Sequence, residues 1–205
     1  MRSFKTFFMM NIILMSMAGM SLRAQDFRSA EEANGLLPGQ TAPMFEAIDQ
    51  NGRQFKLVEA LNDGPIVLIF YRGFWCPVCN KHLATFQDSL YLLKEAGVKV
   101  IAVSPEKPEY LEKMATKTGA EFQLLYDENY RIADAYDVTF KPDTKTLFVY
   151  NTVLGAKLKE THSDDSQRLP IPATYLIKPD GIIAWRHFDP DYKKRSSVSD
   201  ILKAL

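Results

Sequence analysis

The sequence predicts an α/β fold in which helices flank a central mixed sheet. The chain has 205 residues, of which 46% are hydrophobic, so it can bury one substantial core. Residues 65–71 form a continuous apolar run rich in β-branched side chains, which is typical of a strand buried on both faces of a sheet. Strand and helix patterns then alternate, which favours βαβ crossovers and helices on both faces of the sheet.

The domain is predicted to open with a hairpin, the buried strand and a long helix. Asn51-Gly52 favours positive φ, so a turn here is predicted to join two short strands as an N-terminal β-hairpin. After the buried strand, apolar residues recur at spacings of four and three, which predicts one helical face ending at Gly97. The residues of that face are Cys79, Leu83, Phe86, Leu90 and Leu93.

The chain then continues the crossover pattern. Residues 98–103 predict a strand, and Ser104 with Pro105 predicts the cap of the next helix. A third strand is predicted near residues 122–125. The helix between these strands has one apolar side, which comprises Leu111, Met114 and Thr118.

Residues 139–169 interrupt this alternation. They contain a possible helix at residues 143–154 and then a polar loop at residues 161–168. A segment of about 30 residues cannot form an independent core without disulfides or a bound metal, so we interpret this segment as an insertion. Beyond it, alternating residues around Pro179-Asp180-Gly181 predict a second hairpin, and residues 198–205 a closing helix.

The first 24 residues have the layout of a signal peptide. Arg2 and Lys5 precede an apolar stretch, and small residues lead to Ala24. The stretch is shorter than the roughly 18 residues that a membrane span needs, so we expect cleavage after Ala24 rather than anchoring. We therefore expect an exported protein, periplasmic in a Gram-negative bacterium, with residues 37–205 as its domain. Only an uncleaved segment would contact a membrane.

Charge and cysteine content narrow the function further. Basic and acidic residues balance at 25 each, which removes the electrostatic argument for binding nucleic acid or an anionic membrane. Cys76 and Cys79 are the only cysteines, so no thiol remains for a disulfide elsewhere. Export implies an oxidising compartment, where a single vicinal pair has a specific use.

The CxxC pair follows the buried strand and opens the long helix. At a helix N-terminus, unpaired N–H groups and the helix dipole favour a thiolate, so we expect the pKa of Cys76 to be lowered. Cys79 lies one turn further on the apolar face, where it can reach only a sulfur that Cys76 presents. We therefore expect Cys76 to attack and Cys79 to resolve. Pro77 fits the first helical turn, where its missing N–H costs nothing.

Three other uses of the pair are weaker. A structural disulfide closing so short a loop would contribute only about 2 kcal/mol. Structural zinc takes four ligands, and CxxC with His82 supplies three, so we expect no metal and no other cofactor. A c-type haem would need histidine where the chain has Asn80.

Two nearby side chains are candidate helpers of Cys76. His82 lies six residues further along the helix, which places it on a different face, so a histidine at the edge of the core is favoured over a base. Arg72 is a better electrostatic helper if its side chain folds back, although a surface arginine fits the sequence equally well. His162 and His187 have no motif around them.

Three segments together resemble the redoxin (AhpC/TSA) group of peroxiredoxin-like, thioredoxin-fold proteins. They read YRGFWCPVC from Tyr71 to Cys79, LPIPATYLIKPDG from Leu169 to Gly181, and FDPDY from Phe188 to Tyr192. The opening at residues 38–57 is similar to that group's N-terminal hairpin, so the resemblance covers residues 37–205.

The resemblance implies a thioredoxin-like fold and a thiol-based activity. It also implies a cis-proline facing the CxxC pair, which here is Pro172, with Ile171 as the substrate contact before it. Trp75, Pro77 and Arg72 belong to the shared frame and are expected to support the site. The insertion then precedes the cis-proline strand, where we expect it to form a wall of the substrate groove.

Several positions depart from the family pattern. Authentic peroxiredoxins carry a proline, a threonine or serine, and an arginine where this chain has Ile69, Gly73 and Pro172. The groups that would polarise a peroxide are therefore missing from their usual places. Typical thioredoxins carry a buried acid where this chain has Phe70.

Three functions fit these residues. The first is a dithiol oxidoreductase that reduces disulfides, oxidised thiols or, slowly, peroxides, at the expense of a thiol reductant protein or a membrane electron donor. The second is a thioredoxin-dependent peroxidase in which Cys76 becomes a sulfenic acid that Cys79 resolves. The third is a binding module with an inert disulfide.

Overall fold

The computed structural model describes residues 28–205, so the signal peptide predicted at residues 1–24 lies outside the described residues. The strands are β1 (Glu46–Ile48), β2 (Gln54–Lys56), β3 (Ile66–Phe70), β4 (Lys99–Ser104), β5 (Gln123–Tyr126), β6 (Thr139–Phe140), β7 (Leu169–Pro170), β8 (Ala173–Ile177) and β9 (Ile183–Phe188). The helices are α1 (Leu57–Ala60), α2 (Pro77–Asp88), α3 (Leu90–Glu95), α4 (Pro108–Thr118), α5 (Arg131–Ala135), α6 (Thr144–Phe148), α7 (Leu158–Thr161) and α8 (Val198–Leu202).

Five strands form the central sheet in the order β5-β4-β3-β8-β9. Strand β3 pairs in parallel with β4, and β4 with β5, whereas β8 is antiparallel to both β3 and β9. The sheet is therefore mixed, as predicted. Strands β1 and β2 pair as the expected N-terminal hairpin.

Strand β3 divides the core into two halves because every one of its side chains is buried. Ile66, Leu68 and Phe70 face the half that includes residues of α1 and α5. Val67 and Ile69 face the other half, which includes the apolar sides of α2, α4 and α8. The prediction of a strand covered on both faces is confirmed.

Two local predictions need correction. The helix expected to run as far as Gly97 is interrupted at Ser89, which separates α2 from α3, although all five predicted face residues are buried. Ser104 and Pro105 do not cap α4. Helix α4 begins at Pro108, and Ser104 ends β4 with its hydroxyl oxygen accepting the Glu106 N–H at 3.2 Å. The proline at position 108 supplies the fixed φ that favours a helix start.

The predicted insertion folds against the rest of the domain. Helix α6 continues into one π-helical turn at Val149–Val153, and α7 follows. The Lys107 N–H donates to the Thr161 carbonyl, and the Ser163 N–H donates to the Pro105 carbonyl. These bonds attach the end of the insertion to the segment that leaves β4. Among residues 28–205, no helix has both the length and the apolar content to cross a membrane.

Candidate active site

Cys76 occupies the N-cap position of α2, as its sequence context predicts. The chain leaves β3, makes a short loop and enters the helix at Pro77, which is its first residue. The Cys79 N–H donates to the Cys76 sulfur at 3.3 Å. A helix N-terminus thus directs an otherwise unpaired donor at this thiol.

The two thiols are adjacent and shielded from solvent. Both cysteines are reduced, with 2% of Cys76 and none of Cys79 exposed. Their sulfurs are 2.7 Å apart and share a hydrogen bond. A disulfide has a length of about 2.05 Å, so a small approach of the sulfurs would allow the bond to form.

The two thiols have opposite pKa shifts, with that of Cys79 lowered. Arg195, from the segment after β9, places Nη2 3.6 Å from the Cys79 sulfur. Burial opposes ionisation, but the hydrogen bond from Cys76 and the Arg195 and Arg72 guanidinium groups outweigh it and lower the pKa of Cys79 to about 6. The same hydrogen bond, together with burial, raises the pKa of Cys76. The expectation of a lowered Cys76 pKa is therefore wrong for the reduced pair, because the hydrogen bond between the sulfurs and burial both raise it.

Arg72 is buried beside the pair, so the alternative of a surface arginine is excluded. Its Nη1 donates to the Tyr150 hydroxyl at 2.8 Å, and its guanidinium lies 4.1 Å from the centre of the Tyr192 ring. It makes no ion pair with any residue in the described part of the chain, and its Nε has no hydrogen-bond partner there. An uncompensated buried cation favours negative charge nearby. Consistent with this, Arg72 acts to lower the pKa of both cysteines.

The insertion packs against residues next to the cysteines. The Tyr150 ring centre is 5.0 Å from that of Trp75, and Tyr150 belongs to a small buried cluster with Phe140 and Ile171. The Trp75 indole nitrogen is buried and has no hydrogen-bond partner among residues 28–205. Tyr150 therefore links the insertion to two predicted site residues, Trp75 and Arg72.

Pro172 requires a correction. Residues 28–205 contain no cis peptide bond, so the expected cis-proline is trans. Flanking hydrogen bonds hold the chain extended here, because β7 pairs with β6 just before it and β8 joins the central sheet just after it. Ile171 is fully buried, and its N–H donates to the Val138 carbonyl at 2.7 Å. The substrate contacts expected of Pro172 and Ile171 stay predictions.

His82 lies at the edge of the core, as favoured. Its Nε2 lies 3.1 Å from the Ser196 carbonyl oxygen, and burial lowers its pKa to about 4. It contacts the loop that carries Arg195, so it does not serve as a base for Cys76.

Glu106 is a site residue that the sequence reasoning missed. It follows β4, is 1% exposed, and accepts the Phe74 N–H on Oε2 at 2.6 Å. Burial raises its pKa to about 8. Arg195 was missed as well. Neither residue belongs to a local motif: the tertiary fold alone brings Arg195 to the Cys79 sulfur and Glu106 to the loop before Cys76.

Comparison with known proteins identifies the family. Residues 38–186 match the model of the AhpC/TSA family. The chain belongs to this family. Peroxiredoxin Bcp of Escherichia coli K12 is 33% identical over 105 residues, which are 51% of this chain and 67% of that protein. Thiol-disulfide oxidoreductase ResA of Geobacillus thermodenitrificans is 27% identical over 154 residues, 73% of this chain and 86% of that one.

Solved structures share the fold of this AhpC/TSA protein. The crystal structure of peroxidoxin BcpB from Mycobacterium tuberculosis superposes with a TM-score of 0.62 at 22% identity, covering 82% of this chain and 92% of that one. A peroxiredoxin-like protein from Aquifex aeolicus also gives a TM-score of 0.62, at 16% identity, covering 83% and 86%. The thioredoxin-like fold class is thereby confirmed. The protein is a thiol-dependent oxidoreductase, so the inert binding module is excluded.

Proposed function

We propose that Cys76 and Cys79 form a dithiol/disulfide couple that reduces disulfides or oxidised thiols. The observation that carries this proposal is the 2.7 Å separation of two reduced sulfurs at the start of a helix. A substrate sulfur that reaches Cys76 would then lie next to a second thiol able to displace it. A thiol reductant protein, of thioredoxin type or a membrane electron donor, returns the pair to the reduced state.

The reaction proceeds in two exchanges. When the shared proton moves to Cys79, the Cys76 thiolate attacks a substrate disulfide, forms a mixed disulfide and releases one substrate thiol. Cys79 then attacks the Cys76 sulfur, forms the Cys76–Cys79 disulfide and releases the second thiol. The substrate gains the two electrons that the pair loses. The N–H of Cys79 supports the attacking thiolate, and Arg195 supports the resolving one.

Peroxide reduction is the second candidate, and Arg72 favours it. Its buried guanidinium lies beside the pair, and its Nε, which has no hydrogen-bond partner in the described part of the chain, could bind a peroxide oxygen. The Cys76 thiolate would attack that peroxide, break the O–O bond, become a sulfenic acid and release an alcohol or water. Cys79 would then displace water from the sulfenic acid and form the same disulfide.

We further propose that residues 37–205 act outside the cytoplasm, in the periplasm of a Gram-negative cell. The support is the charged start, apolar stretch and small residues of the segment ending at Ala24. A lone vicinal cysteine pair suits such an oxidising compartment. N-terminal sequencing of the secreted or periplasmic protein tests this part, and an intact Met1 would contradict it.

Two assays on reduced protein test the couple. Dithiol-driven insulin reduction measures disulfide exchange, and stopped-flow oxidation by hydrogen peroxide measures the peroxidase reaction. Wild type should reduce insulin, Cys76→Ser should be inactive, and Cys79→Ser should accumulate mixed disulfides through Cys76. Failure of Cys79→Ser to trap them would overturn the assigned roles. Peroxide oxidation no faster than that of a free thiol would remove the second candidate.

A further inference from the structure

The connection between β9 and α8 passes the cysteine pair without forming a helix or a strand. We call its residues 189–196 the strap. The Asp191 N–H donates to Asp189 Oδ1 at 2.9 Å, and the Lys193 N–H donates to Asp191 Oδ1 at 3.0 Å. Lys194 pairs with Asp189 at 2.9 Å. Residues 189–194 therefore hold their own shape, and they make no hydrogen bond to any other element between residues 28 and 205.

Tyr192 and Arg195 attach the strap to the site. The Tyr192 ring centre lies 4.1 Å from the Arg72 guanidinium. Nη2 of Arg195 lies 3.6 Å from the Cys79 sulfur. With the strap in this place, 2% of Cys76 and none of Cys79 is exposed. A sulfur of a substrate or of a reductant can therefore reach Cys76 only when a neighbouring element moves.

Ser196 anchors the end of the strap independently of the cysteines. Its carbonyl oxygen lies 3.1 Å from Nε2 of His82 on α2, and its hydroxyl lies 2.9 Å from the hydroxyl of Thr174 on β8. Burial lowers the pKa of His82 to about 4, so this ring is neutral at neutral pH. None of these groups changes its charge when the pair reacts, so this end stays attached and only the part before it can move.

The contact between Arg195 and Cys79 depends on the charge of the sulfur. The pKa of Cys79 is lowered to about 6, so the reduced pair carries a negative charge at neutral pH. Arg195 forms an ion pair with no carboxylate among residues 28–205. In a Cys76–Cys79 disulfide the sulfur is neutral, and a hydrogen bond to a neutral acceptor is about half as strong as one to an ion. Arg72 and Arg195 then also lack the negative charge that offsets their mutual repulsion.

We propose that the strap responds to the redox state of the pair: Arg195 holds it closed over the reduced cysteines, and the disulfide releases it, so that a protein reductant reaches the oxidised form. This proposal rests on the proposed dithiol function and adds a conformational step to it. Because the closed strap favours the thiolate, loss of the thiolate must favour the open strap by the same free energy. The contact also weakens when the shared proton moves to Cys79, which is the state in which Cys76 attacks a substrate.

Limited digestion with a lysine-specific protease tests the strap, because Lys193 and Lys194 are exposed and lie within it. The rate of cleavage after these residues reports the population of the open form when opening and closing are fast. We expect the disulfide form of wild type to be cut there faster than the reduced form, by roughly 5- to 150-fold. Cleavage after Lys159, an exposed lysine of the insertion, is the internal reference and should be equal in both forms. Alkylation and mass determine the redox state before each digest.

Arg195→Gln removes the charge that links the strap to the pair and leaves both cleavage sites intact. We expect this variant to be cut in the strap at the fast rate in both redox states. Arg131→Gln is the matched control, because it removes the same charge from an exposed guanidinium whose Nε donates to the Glu128 carbonyl, and it should follow wild type. Melting temperatures show that each variant is folded.

The contradicting outcomes fall on different parts of the account. Equal cleavage of the strap in reduced and oxidised wild type overturns the redox response, and this comparison needs no variant. A redox difference that persists in Arg195→Gln overturns the role of Arg195 as the link. Cysteines that an oxidant cannot join overturn the dithiol function and, with it, this proposal, and alkylation shows that result before any protease is added.

Discussion

Arg195 acts on the charge of the cysteine pair from the C-terminal part of the sequence. Its Nη2 is 3.6 Å from the Cys79 sulfur, and Arg195 forms an ion pair with no carboxylate among residues 28–205. The hydrogen bond with Cys76 and this contact together lower the pKa of Cys79 against the effect of its complete burial.

Arg195→Gln should raise the pKa at which the reduced pair first ionises by about one unit, because an opposite charge at this distance favours the thiolate. Ultraviolet thiolate absorbance followed against pH measures the shift. Lys194→Gln is the matched control, since its ammonium pairs with Asp189 at 2.9 Å rather than with a sulfur. Equal titration curves for the two variants would contradict the role of Arg195.

Gly73 is required by the atoms packed against it. Gly73→Ala should lower the free energy of unfolding by about 1–3 kcal/mol, because its methyl group would overlap Glu106 and Trp75. Chemical denaturation measures this loss. Gly119→Ala is the control, because that glycine has a positive φ of 68° and a Cβ atom added there would meet no atom of residues 28–205 within 4 Å, so it reports backbone strain alone. A smaller loss in Gly73→Ala than in Gly119→Ala would contradict the packing argument.

At the scale of elements, the insertion packs against two residues next to the cysteine pair. Tyr150 on its π-helical turn contacts both Trp75 and Arg72, while Val153 on the same turn is 72% exposed. The two side chains of one turn thus face opposite environments.

Tyr150→Ala should increase the rate at which iodoacetamide alkylates Cys76, because the insertion loses a ring and Arg72 loses a hydrogen-bond partner. Peptide mass spectrometry of quenched samples measures the rate. Val153→Ala shortens an exposed side chain of the same turn, so its Cys76 should be alkylated at the wild-type rate. If Cys76 of Tyr150→Ala is also alkylated at the wild-type rate, the insertion does not cover the pair.

Local patterns predicted most elements because they depend on residues close in sequence. The apolar run at residues 65–71 and the Asn51-Gly52 turn specify strands and a hairpin without reference to the rest of the chain. The break at Ser89 was missed because the apolar spacing continues across it. Serine is a common N-cap residue, which is why Ser104 was predicted to cap the helix. Glu106 instead forms a β-bridge with His162 of the insertion, which keeps the chain extended, and α4 begins only at Pro108.

The whole molecule determines the parts of the site that the sequence could not specify. The CxxC pair is local, so its place at the helix start was predictable. Arg195 approaches the pair from another element, Glu106 lies against the loop that leads to the pair, and nothing in their flanking residues marks them. Glu106 is buried and Arg195 is half-buried, and neither has an ion-pair partner among residues 28–205, which is a property of the folded state.

Burial of His162 should make the protein sensitive to acid. An unfolded histidine binds a proton near pH 6.5, whereas burial keeps the pKa of His162 at about 3. Between these values the unfolded chain binds more protons, so stability falls as pH falls, by at most about 1.4 kcal/mol per pH unit.

His162→Gln should therefore lose less stability than wild type between about pH 6.5 and about pH 3, as measured by denaturant unfolding. Burial raises the pKa values of Glu106 and Asp127, so these two groups make the free energy of unfolding rise as pH falls. Both groups are present in wild type and in His162→Gln, so their contributions cancel in the comparison. Parallel pH dependences for the two proteins would show that His162 does not titrate on unfolding.

The central claim is that Cys76 and Cys79 form a reversible two-electron couple. Equilibration of the protein in thiol–disulfide buffers of stepped potential, with free thiols counted by alkylation and mass, measures this directly. The account predicts one two-electron transition with a midpoint above about −300 mV, absent from both Cys76→Ser and Cys79→Ser. A pair that stays oxidised below that potential, or two thiols that never join, would contradict it.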